Sequence, residues 1–237
     1  MRVLFWFRKD LRLDDNTGLH EAAGDAAGDV VPFYASEPAI LDRADMAATR
    51  VRFALDSLAD LSAAIARAGS RLALDHGAAT ETVVRAARAS GADAVYWNDE
   101  YEPALVARDA GVERALRAAG IGVKRFHDRL LVPPGAVATG AGKPFVVYTP
   151  FRRACEALPN AGPWPAVTRF ATHDLPAPPI ATLARLGFTT DQERWPGGAS
   201  EASPLAPTIR PRSWTTRFSG NWRWRCTARP PRNDDIS

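Results

Sequence analysis

Five short apolar runs, Val3 to Phe7, Val30 to Ala35, Arg71 to Asp75, Ala94 to Asn98 and Gly122 to Phe126, are separated by longer stretches of helical period. This alternation constrains the fold more than any other feature, because parallel strands need a crossover between them and a helix is the usual one. It predicts an α/β fold: a doubly wound, Rossmann-like parallel sheet of five strands in the order 3-2-1-4-5. Between the second and third runs, Val51, Leu55, Leu58, Leu61, Ile65 and Ala68 recur at spacings of three and four, so one face of that helix packs on the sheet and Gly69 ends it. A shorter crossover spans Thr80 to Ser90. Pro103 opens another helix, Ala104 to Ala119, closed by Gly120.

Beyond Phe126 the pattern changes. A loop, a turn at Gly140 to Gly142 and a short helix from about Thr149 follow, and residues 159 to 180 then carry six prolines, the composition of a linker. From residue 201 the chain becomes rich in Arg, Trp, Ser and Pro with no structural period. We therefore divide the 237 residues into an α/β core (1–130), a hairpin and short helix completing it (131–158), a linker (159–200) and a tail (201–237) read as disordered. Interleaved Arg and Trp in the tail also suit a stacking surface for single-stranded nucleic acid.

Bulk charge supplies no evidence for DNA binding by the first 200 residues. Seven arginines against three acids give residues 201–237 a net +4, so the other 200 residues of this +3 chain carry −1. Two cysteines, Cys155 and Cys226, lack disulfide or metal spacing, and no run approaches the ~18 apolar residues of a membrane span. A cytoplasmic protein is expected.

In a doubly wound sheet the ligand crevice lies at the carboxyl ends of the strands where their order reverses. Polar clusters fall there repeatedly: Arg8, Lys9 and Asp10 after the first strand, Ser36 and Glu37 after the second, Asn98, Asp99, Glu100 and Glu102 after the fourth. A crevice lined by Asp10, Glu100 and Glu102, with Tyr34 and Trp6 or Trp97 nearby, suits a flat heteroaromatic ligand and suits a polyphosphate badly. No G-x-G-x-x-G follows the first strand. "TGAGKP" imitates a phosphate loop only superficially, with Pro144 in place of the Mg²⁺-binding hydroxyl and Val137 in place of the first glycine. The four histidines lack ligand spacing, and no nucleophile motif is present. The charged opening reads equally well as a salt-bridged loop with Asp15 or Asn16 as helix cap, and Arg108–Asp109 as an ion pair between elements.

Four segments in order, "LFWFRKDLRLDDNTGL", "ADMAATRVRFALDSLADL", "AVYWNDEYEPALVARDAGVERAL" and "GKPFVVYTPFRRAC", together resemble the amino-terminal half of the DNA photolyase and cryptochrome family. The resemblance implies an antenna domain that absorbs light and passes the energy to FAD in a helical domain, where an electron splits a flipped-out cyclobutane pyrimidine dimer. "YASEPAIL" with "ADMAATR" resembles the subgroup that binds 8-hydroxy-5-deazaflavin; methenyltetrahydrofolate and FMN are the alternatives. Carried over, the pocket positions are Asp10, Tyr34, Ser36, Met46, Arg50, Glu100 and Glu102. After "RWPGGASEA" the resemblance to the helical domain does not continue, so the FAD site is expected to be missing. The expected function is then a deoxyribodipyrimidine photolyase-like protein reduced to its chromophore-binding domain, poor at binding damaged DNA alone and needing a separate FAD domain. Two other readings are a stand-alone antenna module acting with a partner and a frameshifted fragment without function.

Overall fold

The computed structural model describes residues 1–159, 163–190 and 197–199. The expectations for the tail, and for parts of the linker, fall outside these residues. Strand β1 (Val3–Phe7) precedes helix α1 (Thr17–Asp25), then come β2 (Val30–Ser36), the short α2 (Pro38–Leu41), α3 (Ala48–Arg67), β3 (Ala73–His76), α4 (Ala79–Ser90), β4 (Ala94–Asn98), α5 (Pro103–Ala118), β5 (Gly122–Phe126) and α6 (Tyr148–Glu156). The five strands form one parallel sheet in the order β3-β2-β1-β4-β5, as the alternation of runs predicts.

β1 is central, and all five of its residues are buried, which is why it reads as an unbroken apolar run. Side chains alternate across it. Leu4 and Trp6 join Val31, Phe33, Val95 and Trp97 under Val83, Ala87, Val112 and Leu116 of α4 and α5. Val3, Phe5 and Phe7 join Val30 and Tyr96 under Leu19 and Ala22 of α1 and Leu58, Leu61 and Ile65 of α3. Helices on both faces make the sheet doubly wound.

α1 starts where the sequence offers a cap: Asn16 Oδ1 accepts the Leu19 N–H at 3.1 Å. Gly18 is needed two residues later, because a Cβ there would lie 2.6 Å from Asn98 Oδ1, which accepts the Gly18 N–H at 2.9 Å. This contact pins the start of α1 to the end of β4.

The proline-rich stretch does not behave as a free linker. Val167, Phe170, Ala171 and Leu175 are buried, the Ala171 N–H donates to Val30 O at 2.8 Å, and the edge strand β3 donates Leu74 N–H to Pro176 O at 2.9 Å. Proline removes donors but keeps carbonyls, so an extended proline-rich segment still covers a sheet edge by accepting its N–H groups. The region 131–147 holds a tight turn, with Gly142 N–H on Thr139 O and Thr139 N–H on Lys143 O, both at 2.8 Å, and no strand. α6 follows it with no buried residue, and Val146 and Tyr148 stand 97% and 71% exposed.

Candidate functional site

The carboxyl ends of β1, β2, β3 and β4 open into a cleft of about 840 Å³, at the strand-order switch point. Its volume falls within the roughly 300–1,000 Å³ common for small-molecule sites. The walls are largely apolar: Ile40 and Leu41 of α2, Met46, Val51, Phe53 and Leu58 at and after the start of α3, and Pro176, Pro178 and Ile180 from the proline-rich strap. The helix α2 exists because Pro38 presets its first turn, and it brings "AIL" over the end of β2. Polar groups also line it, among them Arg8, Lys9, Tyr34, Ser36, Glu37, Arg50, Glu100 and Arg108.

Behind the cleft wall lies a chain of buried charges. Asp109, fully buried, takes Arg8 Nη1 on Oδ2 at 2.6 Å and Arg108 Nη2 on Oδ1 at 2.8 Å; Arg108 Nη1 continues to Glu37 Oε1 at 2.6 Å. Each cation has a carboxylate and each carboxylate a cation, the condition under which ions survive out of water. Burial pushes the Glu37 carboxyl above its usual range, against the opposing pull of Arg108. It also pushes up the Tyr34 phenol, and the neighbouring Glu37 charge adds to that. Arg8 Nε is buried without a hydrogen-bond partner among the described residues, so this wall keeps a donor in reserve.

Of the seven residues carried over from sequence, Tyr34, Ser36, Met46, Arg50 and Glu100 line the cleft. Glu100 is 4% exposed and accepts Arg129 Nη1 at 2.9 Å, with Lys9 Nζ at 3.6 Å. Asp10 and Glu102 do not line it. Asp10 accepts the Arg8 N–H on Oδ1 at 2.8 Å and Asn98 Nδ2 on Oδ2 at 2.5 Å, while Asn16 Nδ2 donates to the Asp10 carbonyl at 3.3 Å. These bonds hold the β1–α1 loop to the end of β4. Glu102 stands at the start of α5, half exposed, bridging Lys9 and Arg43; Lys9 first and Arg43 second hold its carboxyl below the usual range. The opening loop is salt-bridged as expected, Arg12 Nη2 reaching Asp15 O at 2.6 Å and Asp128 Oδ2 at 2.8 Å.

Sequence reasoning placed Glu37 at the crevice without carrying it to the pocket set, and did not assign Ile40, Phe53 or the strap residues Pro178 and Ile180 to the site. "SEPAIL" carried the signal for the first two: an acid, then a proline, then three apolar residues directly after a strand. Among the described residues no group of three or more His, Cys, Asp or Glu is arranged to hold a metal ion, and no helix is long and apolar enough to cross a membrane.

A model of the DNA photolyase family matches residues 3–178, the whole sheet together with the strap. The chain belongs to the DNA photolyase family. It is 37% identical over 207 residues to the deoxyribodipyrimidine photo-lyase of Synechococcus sp. (strain ATCC 27144 / PCC 6301), covering 83% of this chain and 41% of that protein. It is 39% identical over 208 residues to an uncharacterised 31.6 kDa protein from the atpI 5′ region of Synechococcus sp. (strain PCC 6716), covering 86% of this chain and 73% of that one. Among solved structures, an archaeal photolyase from Sulfolobus tokodaii superposes with a TM-score of 0.73 at 27% identity, over 86% of this chain and 46% of its own; it was solved with two FAD molecules, implicating a novel light-harvesting cofactor. The chain thus spans less than half the length of the photolyases it matches.

Proposed function

We propose that the cleft binds an antenna chromophore and that the described residues are the light-harvesting α/β domain of a photolyase-type protein. The observation that carries this is the cleft itself, a largely apolar slot at the strand-order switch point whose lining also includes cations, a phenol and a buried carboxylate. The donor set fits a flat conjugated ring. Apolar side chains of α2 and α3 would cover the faces of a bound ring, Glu100 would accept from a ring N–H or O–H, and Arg50 would donate to a ring carbonyl. A bound chromophore supplies absorption in the near-ultraviolet or blue; the residues around it exclude water and fix its orientation. We favour 8-hydroxy-5-deazaflavin, from the resemblance of the "YASEPAIL" and "ADMAATR" segments, with FMN, FAD and methenyltetrahydrofolate as competitors; FAD enters because the Sulfolobus relative holds two.

By family, the downstream activity is light-dependent repair of cyclobutane pyrimidine dimers in DNA by FAD, and we assign no step of that repair to the described residues. A second reading has support of its own. The 31.6 kDa Synechococcus relative is short, and the chain covers 73% of it, which favours an antenna module that serves a separate flavin protein.

The test is reconstitution of the purified chain with each of the four chromophores, followed by gel filtration and absorbance. Co-elution of one of them in equimolar amount is the expected result, with affinity lost in a Met46→Lys variant that drives a charge into the apolar wall. If none of the four co-elutes, the antenna reading fails.

A further inference from the structure

Trp6 and Trp97 meet edge to face in the core with ring centroids 5.7 Å apart; both are fully buried, and neither indole N–H has a partner among the described residues. The guanidinium carbons of Arg8 and Arg108 stand 5.0 and 4.9 Å from the Trp6 ring centroid. Both arginines line the cleft. Trp6 therefore lies one side chain behind the wall against which a bound ring would rest.

An indole so close to an electronically excited flavin-type ring is a hazard to light harvesting. The Trp6 indole would give up one electron to such a ring and become a radical cation, and return of that electron would lose the excitation as heat. Two guanidinium groups on the indole oppose the first transfer, because the positive charge it would create sits about 5 Å from two others in a weakly screened interior. Asp109 and Glu37 neutralise these arginines but bond them at their nitrogens, Arg8 Nη1, Arg108 Nη2 and Arg108 Nη1. Both guanidinium carbons stand over the Trp6 ring.

We propose that Arg8 and Arg108 act on Trp6 as positioning residues of an electrostatic kind, suppressing electron transfer from the indole so that excitation of a ring in the cleft survives to be passed on. The proposal rests on the cleft binding a light-absorbing ring, and it concerns how that site keeps its energy rather than which ring it holds.

Time-resolved fluorescence of 8-hydroxy-5-deazaflavin bound to the full chain tests it. Trp6→Phe alone leaves the bound lifetime unchanged, since the indole is already silent. Arg108→Gln shortens the lifetime by about twofold or more, with an indole radical cation seen in transient absorption, and adding Trp6→Phe restores it. Arg8→Gln repeats the test from the other guanidinium. Because Trp6→Phe leaves the ion network intact, a longer lifetime in it overturns the proposal even if both arginine variants fail to fold, and Arg108→Lys, which keeps the charge, is expected to keep the wild-type lifetime. A longer lifetime in Trp6→Phe, or an unchanged one in Arg108→Gln with the probe bound, overturns the proposal. Failure of the wild-type chain to bind the probe defeats the choice of chromophore in the cleft instead, and a wild-type chain that binds FMN carries the same lifetime comparison.

Discussion

Asp10 and Glu100 follow neighbouring strands, β1 and β4, and are buried to nearly the same degree, at 3% and 4% exposure. Their surroundings differ. Asp10 accepts from a backbone N–H and from Asn98 Nδ2, both parts of the scaffold. Glu100 is balanced by Arg129 and Lys9 and lines the cleft. Burial of a carboxylate at a strand end therefore does not mark a ligand group. The donors around it do: main-chain and amide donors from separate elements make it a clasp, whereas partly exposed cations leave it available to a ligand.

Asp109 belongs to neither type: fully buried, it is held by two arginines behind the cleft wall, and its replacement has the largest expected effect. Asp109→Ala leaves Arg8 and Arg108 facing each other without a carboxylate between them, a loss of about 3–5 kcal/mol in unfolding free energy. Urea denaturation measures it. A loss below about 1 kcal/mol would mean that water or a rotated Glu37 replaces the carboxylate, and the network would not be a structural unit.

The comparison itself is broken or kept by the next pair. Asp10→Ala strands the Arg8 N–H and one of the two Asn98 Nδ2 hydrogens, the other still reaching Asn16 Oδ1, at about 1–3 kcal/mol of stability for such buried donors, and leaves chromophore affinity unchanged. Glu100→Gln does the reverse: affinity falls about tenfold, a charge-assisted bond having become a neutral one, while stability moves by less than about 1 kcal/mol. Fluorescence titration and denaturation on the same samples separate the two. If Asp10→Ala weakens binding as much as Glu100→Gln does, the division between clasp and ligand carboxylate is wrong.

How much of this was written in the sequence follows from the range of the forces involved. The sheet was legible because strand burial is a period-two or continuous apolar signal within five residues, as in "VLFWF", and its crossovers carry their own period. Tyr34, Ser36 and Glu100 were legible as cleft residues because a strand's end fixes where the next few side chains stand. The strap was not legible. Val167, Phe170, Ala171 and Leu175 have no helical or strand spacing, and their burial is decided by main-chain bonds to Leu13, Val30 and Leu74, residues 100 or more positions away. Asp10 and Glu37 were legible at the crevice, but their partners, Asn98 and Arg108, were not, because only the fold brings those near.

The strap also carries a pH dependence. His173 Nε2 lies 2.7 Å from the Arg71 carbonyl, its Nδ1 is buried without a partner among the described residues, and burial lowers its pKa below 6.5, against the raising effect of the Arg71 bond and of Asp174. The docked state thus binds fewer protons than the undocked one as pH falls. Its stability is full above 6.5 and declines as pH drops from there through the lowered value. Hydrogen exchange at the Ala171 amide, which bonds Val30 O, is expected to quicken in that window, and His173→Gln abolishes the effect. An Ala171 amide that exchanges at a pH-corrected constant rate would show that the strap docks independently of this histidine.

Glu102 supplies the smallest effect and the last check on the contrast between clasp and cleft. It touches Lys9, which also approaches Glu100, so by contact alone it belongs with the cleft. Its side chain is 47% exposed, however, and both partners, Lys9 and Arg43, are about 40% exposed themselves. Ions in that setting trade water for each other at little net gain, so Glu102→Gln shifts unfolding free energy by no more than about 0.5 kcal/mol. Whatever it contributes is present at neutral pH and lost in acid, because its carboxyl is held below the ordinary range, and it shrinks further with added salt. Chromophore affinity is the informative reading here. With Glu102 neutral, Lys9 has Glu100 as its remaining carboxylate, draws toward it and competes with a ligand donor, so affinity is expected to fall slightly in Glu102→Gln and to recover in Glu102→Gln/Lys9→Met. Recovery would place Glu102 at the rim as the group that keeps Lys9 off Glu100, and an affinity indifferent to both changes would leave it a surface ion pair.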